Sequence, residues 1–149
     1  MDVSTPISFT PTRYTQSEFR HGILKLEDLI NNEDDNSDLV TDEYPLKHTF
    51  LDNQYIRELY SPAGHLIVTK LHKTQHPFFL LEGEISIITE KGEEHIKAPY
   101  YGITNIGTKR IIFSHTAFRL VTVHPTNKKD IDEIERDIIA KDYKELEEL

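Results

Sequence analysis

Two histidines and a lysine are spaced so that one cavity could receive all three. His65–His72 and Pro77–Ile88 are alternating runs rich in β-branched and large apolar residues. They meet at the polar break Lys73-Thr74-Gln75-His76, which reads as strand, turn, strand. Strand side chains alternate with period two. If Val68 faces inward, Lys70 and His72 do so too, and His76 is the first inward position after the turn. Lys70 brings a cation, and the histidines bring N–H donors or nitrogen lone pairs. Such a group can hold an anion by charge-assisted hydrogen bonds, move a proton, or ligate a metal.

The elements that must position these residues follow from Tyr44 onward, where the strand signal is dense: HTFLD, YIRELYS, HLIVTKLH, PFFLLEGEISIITE, EHIKAPYYGI, KRIIFSH and AFRLVTVH. Turn chemistry separates them at Asp52-Asn53, Ser61-Pro62-Ala63-Gly64, Lys91-Gly92 and Ile106-Gly107-Thr108. Many short strands at regular spacing predict a barrel or sandwich. Before them, residues 1–16 are Ser/Thr/Pro-rich, and Pro6 and Pro11 limit helix, so an extended arm is expected. From Ser17 to Ile30, Phe19, Ile23, Leu26 and Ile30 recur at helical spacing, with Ser17 as N-cap; Gly22 weakens this helix by about 1 kcal/mol relative to alanine. Its apolar face must rest on its own barrel, on a partner copy or on a different protein.

Residues 31–38, NNEDDNSD, alternate Asn32, Asp34, Asn36 and Asp38 but lack the glycine and closing glutamate of a calcium loop, and read as a solvated acidic linker. After Pro125 the period changes: Ile131, Ile134, Ile138 and Leu146 form one stripe of a terminal helix starting near Asn127 or Asp130. The expected organisation is an arm, short amphipathic helix and linker over 1–45, a barrel over 46–126, and a C-terminal helix over 127–149.

Charge divides the same way. Of the net −9, residues 1–45 carry ten acidic and three basic side chains, 46–126 seven and nine, and 127–149 nine and five. A mildly basic barrel between acidic arms offers no clustered basic face, which disfavours nucleic acid as a partner. The absence of cysteine excludes a disulfide framework and a thiolate zinc site. No apolar run approaches eighteen residues, and no basic segment precedes an apolar one, so neither a membrane span nor a secretory signal is expected.

The intervals Gly64, Lys70, His72, His76, Gly83 reproduce the first motif of the cupin superfamily, Gly-x5-His-x-His-x3-Glu-x6-Gly. Pro99, Asn105, Gly107, Arg110 and Ser114 reproduce the spacing of the second, Gly-x5-Pro-x-Gly-x2-His-x3-Asn, where the central glycine alone keeps its identity. More narrowly, HKTQHPFFLLEGE, IKAPYYGITNIGTKRIIF and VTVHPT resemble small single-domain cupin proteins encoded by tailed bacteriophages. The resemblance spans roughly residues 45–126. It implies an all-β, cupin-type double-stranded β-helix, a jelly-roll barrel carrying an N-terminal arm with a short helix and a C-terminal α-helix.

In metal-dependent cupins the first motif supplies two histidines and a glutamate, and the second another histidine. Position by position these become Lys70, His72, His76 and Arg110. An arginine does not ligate, and two cations within a few ångströms of a divalent ion repel it. No cofactor is therefore expected; the alternative is a divalent transition metal on His72 and His76, completed by His115, His124 or water, with alternation placing His115 on the opposite face from Arg110. As an anion pocket, the same four residues suit a phosphate, sulfate, sugar acid or partner carboxylate. The structural alternative pairs Arg110 with Glu58 or Glu82 and leaves the histidines as ordinary polar residues.

No nucleophile elbow, phosphate loop, dinucleotide fingerprint or His-Glu-x-x-His occurs. The resemblance favours a non-enzymatic phage cupin module, a virion-associated structural or accessory protein that docks through its termini onto other phage or virion proteins and forms a homo-oligomer. Its setting is then the virion or the host cytoplasm, and residues 1–30 are expected to be ordered by another chain while 46–126 folds without them. The alternative is a small-molecule, sugar-directed cupin enzyme, either metal-dependent through His72 and His76 or a metal-free epimerase or isomerase with Tyr60, Tyr100 or Tyr101 beside His72.

Overall fold

The computed structural model describes residues 15–32, 39–41 and 46–148. The extended arm expected over 1–16 falls almost wholly outside the described residues, as does the acidic linker from residue 33 on.

Alternating apolar residues produce two five-stranded sheets packed face to face. One runs β1 (Leu39–Thr41), β4 (Leu66–Val68), β10 (Ile111–Ser114), β7 (Glu84–Thr89) and β8 (Gly92–Lys97). The other runs β2 (Leu46–Leu51), β3 (Gln54–Ser61), β11 (Phe118–Pro125), β6 (His76–Glu82) and β9 (Tyr100–Thr104). All pairings are antiparallel except β1 with β4. The chain crosses between the two sheets at β1–β2, β3–β4, β4–β6 (by way of β5), β6–β7, β8–β9, β9–β10 and β10–β11, which winds it into the double-stranded β-helix expected. Between the sheets, Leu59, Phe78, Leu80, Phe118 and Leu120 meet Ile67, Ile85, Ile87, Ile96 and Ile112 in an apolar core.

Gly83 makes one of these crossings. The run Pro77–Ile88, expected as a single strand, divides there into β6 and β7, which belong to different sheets. Gly83 has φ +93°, and a Cβ at this position would stand 2.2 Å from the Ala117 carbonyl oxygen. Only glycine lets the chain turn this corner so close to β11.

The N-terminal helix α1 (Gln16–Asn32) is capped by Thr15 in place of the expected Ser17. Glu18 N–H donates to Thr15 Oγ1 at 3.2 Å, and Thr15 N–H to Glu18 Oε2 at 2.9 Å, a reciprocal capping box. Phe19, Ile23 and Ile30 pack with Val68, Leu26, Ile88 and Ile111 on the outer face of the first sheet. Burying each of these helix side chains contributes about 2 kcal/mol. The expectation that another chain orders this segment is corrected over 16–32, whose apolar stripe is taken up by its own barrel.

The single C-terminal helix expected is in fact two short ones. α2 (Ile131–Ile138) is capped by Asp130, which accepts from Glu133 N–H at 3.0 Å. The chain then extends as β12 (Ile139–Ala140), paired with β5 (Leu71–His72), before Asp142 caps α3 (Tyr143–Glu147). The strand pairing, reinforced by Lys73 N–H donating to the Ile138 carbonyl at 2.8 Å, outcompetes helical continuation at β-branched Ile139. Ile134 and Ile138 pack on Tyr55 and close one end of the barrel. Among the described residues no helix is long and apolar enough to cross a membrane.

Candidate functional site

Inward positions change character along the barrel. On β3, β6 and β11 the apolar inward residues Leu59, Phe78, Leu80 and Leu120 give way toward α2 to Arg57, His76, Thr122 and His124, all buried. Register sets these side by side: Arg57 is opposite Thr122, Tyr55 opposite His124, and His76 opposite Thr104 of β9. His72, from β5, completes the layer. The His72 and His76 ring centroids are 4.6 Å apart, and those of His76 and His124 4.3 Å.

Hydrogen bonding assigns the protons. His76 Nδ1 is 2.9 Å from the Thr74 carbonyl oxygen, which only accepts, so Nδ1 carries the proton and Nε2 of the neutral ring is a bare lone pair. His124 Nε2 and Thr122 Oγ1 are 2.9 Å apart. His72 Nδ1, His76 Nε2, His124 Nδ1 and Thr104 Oγ1 are buried with no hydrogen-bond partner among the described residues. Buried polar atoms are ordinarily satisfied, so four close together mark a polar interior of unusual kind.

The electrostatics follow. Burial, and then the positive charges of Arg110 and the neighbouring groups, hold His72 well below the usual histidine range. Burial lowers His76 against the opposing Thr74 hydrogen bond, and Arg110 and Arg57 push it in the same direction as burial. Burial, His76 and Arg57 bring His124 down to about 3. At neutral pH this is a layer of uncharged imidazoles flanked by two permanent guanidinium groups. Arg57 is ion-paired to Glu135 of α2 at 3.2 Å.

Arg110 sits just before β10. Its backbone N–H donates to Thr69 Oγ1 at 2.9 Å, and its guanidinium lies over the Phe78 ring at 5.2 Å. It forms part of the wall of a cavity of about 410 Å³ between the N-terminal end of α1, the β7–β8 hairpin, the 105–110 loop and α3. Thr104 and Phe78 also line this cavity, and none of the histidines does.

Of the residues singled out by spacing, the fold brings together His72, His76 and Arg110. Lys70 is half-buried in the two-residue break between β4 and β5 and makes no hydrogen bond or ion pair with the other three. The alternation argument failed locally: Val68 faces outward beneath α1, and the break at Thr69-Lys70 restores His72 to the interior. Arg110 does not reach Glu58 or Glu82; Arg119, on the outer face of the second sheet, takes both, at 3.3 and 3.7 Å. His115 lies on the outer face of the first sheet, bonded to Ser86 and stacked on His95, opposite in sense to Arg110 as expected. Tyr60 and Tyr101 are exposed on the outside of the second sheet. The tyrosine beside the histidines is Tyr55, with its hydroxyl bonded to His48 Nδ1 and its ring 5.9 Å from that of His124. Arg57, Tyr55 and Thr104 were missed because their inward parity depends on pairing with β11 and β6; the alternation of YIREL, once anchored on Leu59, would have found the first two.

These residues do not fit a transition metal. Two cations occupy two of the four ligand positions, and among the described residues no carboxylate is a member of the layer. Among the described residues no three His, Cys, Asp or Glu side chains are arranged to hold an ion.

The strand order makes this a cupin fold. No protein-family model matches the sequence, and no curated protein matches it. Solved structures of similar shape include a protein from Neisseria meningitidis, 10% identical over 58% of this chain and 89% of that one, with TM-score 0.50. A cupin-2 domain protein from Shewanella frigidimarina is 9% identical over 67% of this chain and 91% of its own, TM-score 0.47. An RmlC-like cupin from Methanocaldococcus jannaschii is 12% identical over 58% and 84%, TM-score 0.46. At these identities the likeness is one of fold.

Proposed function

We propose that this cupin is a non-enzymatic binding module that holds an anion, either a small molecule or a partner's carboxylate, at Arg110. The observation that carries this reading is Arg110, a buried cation among the residues lining the cavity, at the motif position where metal-dependent cupins place a histidine. A buried guanidinium binds carboxylate or phosphate strongly because water does not compete for its donors. The imidazoles stand behind Thr104 and Phe78 and line no part of the cavity, which favours binding over acid–base catalysis by a histidine. No cofactor enters this reading.

The phage-encoded setting rests on the sequence resemblance, and with it an accessory or structural role among phage or virion proteins, in the virion or the host cytoplasm. Association between copies is part of the same proposal. The outer face of the second sheet exposes Tyr60, Leu81, Tyr101 and Ile103, and its Arg119 is compensated by Glu58 and Glu82. In a chain of net charge −9, such a face can meet its own image without repulsion.

Titration of the full chain with phosphate, sulfate, gluconate and benzoate, followed by amide and guanidinium NMR shifts, tests the anion site. Saturable shifts at Arg110 and Thr104 are expected, lost in Arg110→Gln and kept in Arg119→Gln. Absence of saturation by all four, or equal loss in both variants, overturns it.

A further inference from the structure

The second sheet ends at β9, and we infer that a second copy of this chain pairs with that edge, β9 against β9 and antiparallel. The inference rests on the association between copies proposed above and names its mode. An edge strand offers unpaired N–H and C=O groups to any passing strand, and proteins ordinarily blunt such edges with charge, proline or shortness. In the first sheet β8 carries Glu93, Glu94, His95 and Lys97, and β1 spans three residues. At the other edge of the second sheet β2 carries Lys47 and His48. β9 has none of these devices: Tyr100-Tyr101-Gly102-Ile103-Thr104 is uncharged and free of proline. Among the described residues its backbone bonds to β6 alone.

A second β9 fits this edge by its own sequence. Laid antiparallel about Gly102, two copies set Tyr101 opposite Ile103 of the second copy, and Ile103 opposite its Tyr101. These are the strand's outward side chains, 70% and 55% exposed, and an aromatic ring beside a β-branched side chain is a favourable cross-strand pair. Tyr100 meets Thr104 of the second copy in the same way on the opposite face. No like charges are brought together, because the strand has none. That counts in a chain of net charge −9, whose acidic excess lies outside 46–126, where seven acidic side chains stand against nine basic ones. The contact is isologous, so it closes at two copies and joins their second sheets into one.

The test is sedimentation together with amide hydrogen exchange on the full chain at low and high concentration, for wild type, Ile103→Lys and Tyr60→Lys. Both positions are exposed on the outer face of the second sheet, so the variants leave the fold intact, and Tyr60 on β3 stands three strands away from β9. Wild type should dimerise as concentration rises, and the β9 amides not bonded to β6 should exchange about tenfold more slowly in the dimer than in the monomer. In a mixture of isotopically labelled and unlabelled chains, the Tyr101 ring should show a nuclear Overhauser contact to the Ile103 methyls of the other copy. Ile103→Lys should weaken dimerisation about tenfold or more, and Tyr60→Lys should leave it unchanged. A dimer lost in Tyr60→Lys, or one whose β9 amides exchange as fast as the monomer's, overturns edge pairing and leaves association through the outer face standing. A monomer at every concentration overturns both.

Discussion

Arg57 Nη1 stands 3.2 Å from Glu135 Oε1, an ion pair that ties the interior of the barrel to the helix closing its end. Arg57 projects inward from the middle of β3, and Glu135 approaches it from α2, 78 residues later in the chain. Removing the carboxylate leaves a largely buried guanidinium short of one acceptor. Glu135→Gln is therefore expected to cost about 1–3 kcal/mol, read as a shift in the urea midpoint, and to speed proteolysis between Pro125 and Ile131. An unchanged midpoint together with unchanged proteolysis would show that α2 is held by Ile134 and Ile138 alone.

Acid should loosen the same end of the molecule. His72, His76 and His124 all have folded-state values below the ordinary 6.5, so folding favours their neutral forms. Their contribution is complete above the unfolded value and is lost as pH falls from about 6.5 toward 3, the folded value of His124. His124 alone accounts for roughly 2–3 kcal/mol by pH 4.5. Denaturation midpoints measured from pH 7.5 to 4 should fall, and the slope should flatten in His124→Gln. Equal slopes in the two proteins would refute the assignment.

Gly83→Ala should be among the most damaging single-methyl changes in the chain. The new Cβ collides with β11 backbone, and φ +93° is unfavourable to alanine. A loss of about 3 kcal/mol or more is expected, visible as a large fall in melting temperature or as insoluble expression. By contrast, Gly22→Ala, with open space around it on α1, should be neutral or slightly stabilising.

The helix α1 belongs to the fold. Ile23→Ala, at a fully covered position between the helix and the first sheet, should destabilise by about 2–4 kcal/mol. Deletion of residues 1–32 should uncover Val68, Ile88 and Ile111 and lower the melting temperature. A truncated barrel that melts as the full chain does would return α1 to the role of a detachable docking arm.

Self-association through the second sheet predicts a concentration-dependent mass. Sedimentation should give a dimer or larger species for wild type, and a monomer for Tyr101→Lys combined with Ile103→Asp, with the circular dichroism spectrum unchanged. A wild-type monomer at high micromolar concentration would remove this face from consideration.

Local chemistry made much of the molecule readable in advance. Period-two alternation from Leu46 to Pro125, broken by Asp52-Asn53, Gly64, Gly92 and Gly107, specifies short strands and tight turns, because side-chain parity and positive φ are properties of a few adjacent residues. The intervals from Gly64 to Gly83, and from Pro99 to Ser114, which match those of the cupin motifs, likewise anticipated that His72, His76 and Arg110 converge, since motif spacing encodes the winding of a known fold. What tertiary structure alone decided is which side of each element is inside. Val68 faces a helix, His72 regains the interior only through a break at Thr69-Lys70, and the run across Gly83 serves two sheets. Arg57 joins the buried layer through its register with Thr122, and His124 through its register with Tyr55. The C-terminal stripe reads as one helix until β5 offers Ile139 a strand partner. Each of these depends on pairing between residues far apart in the chain, whose energies no local window contains.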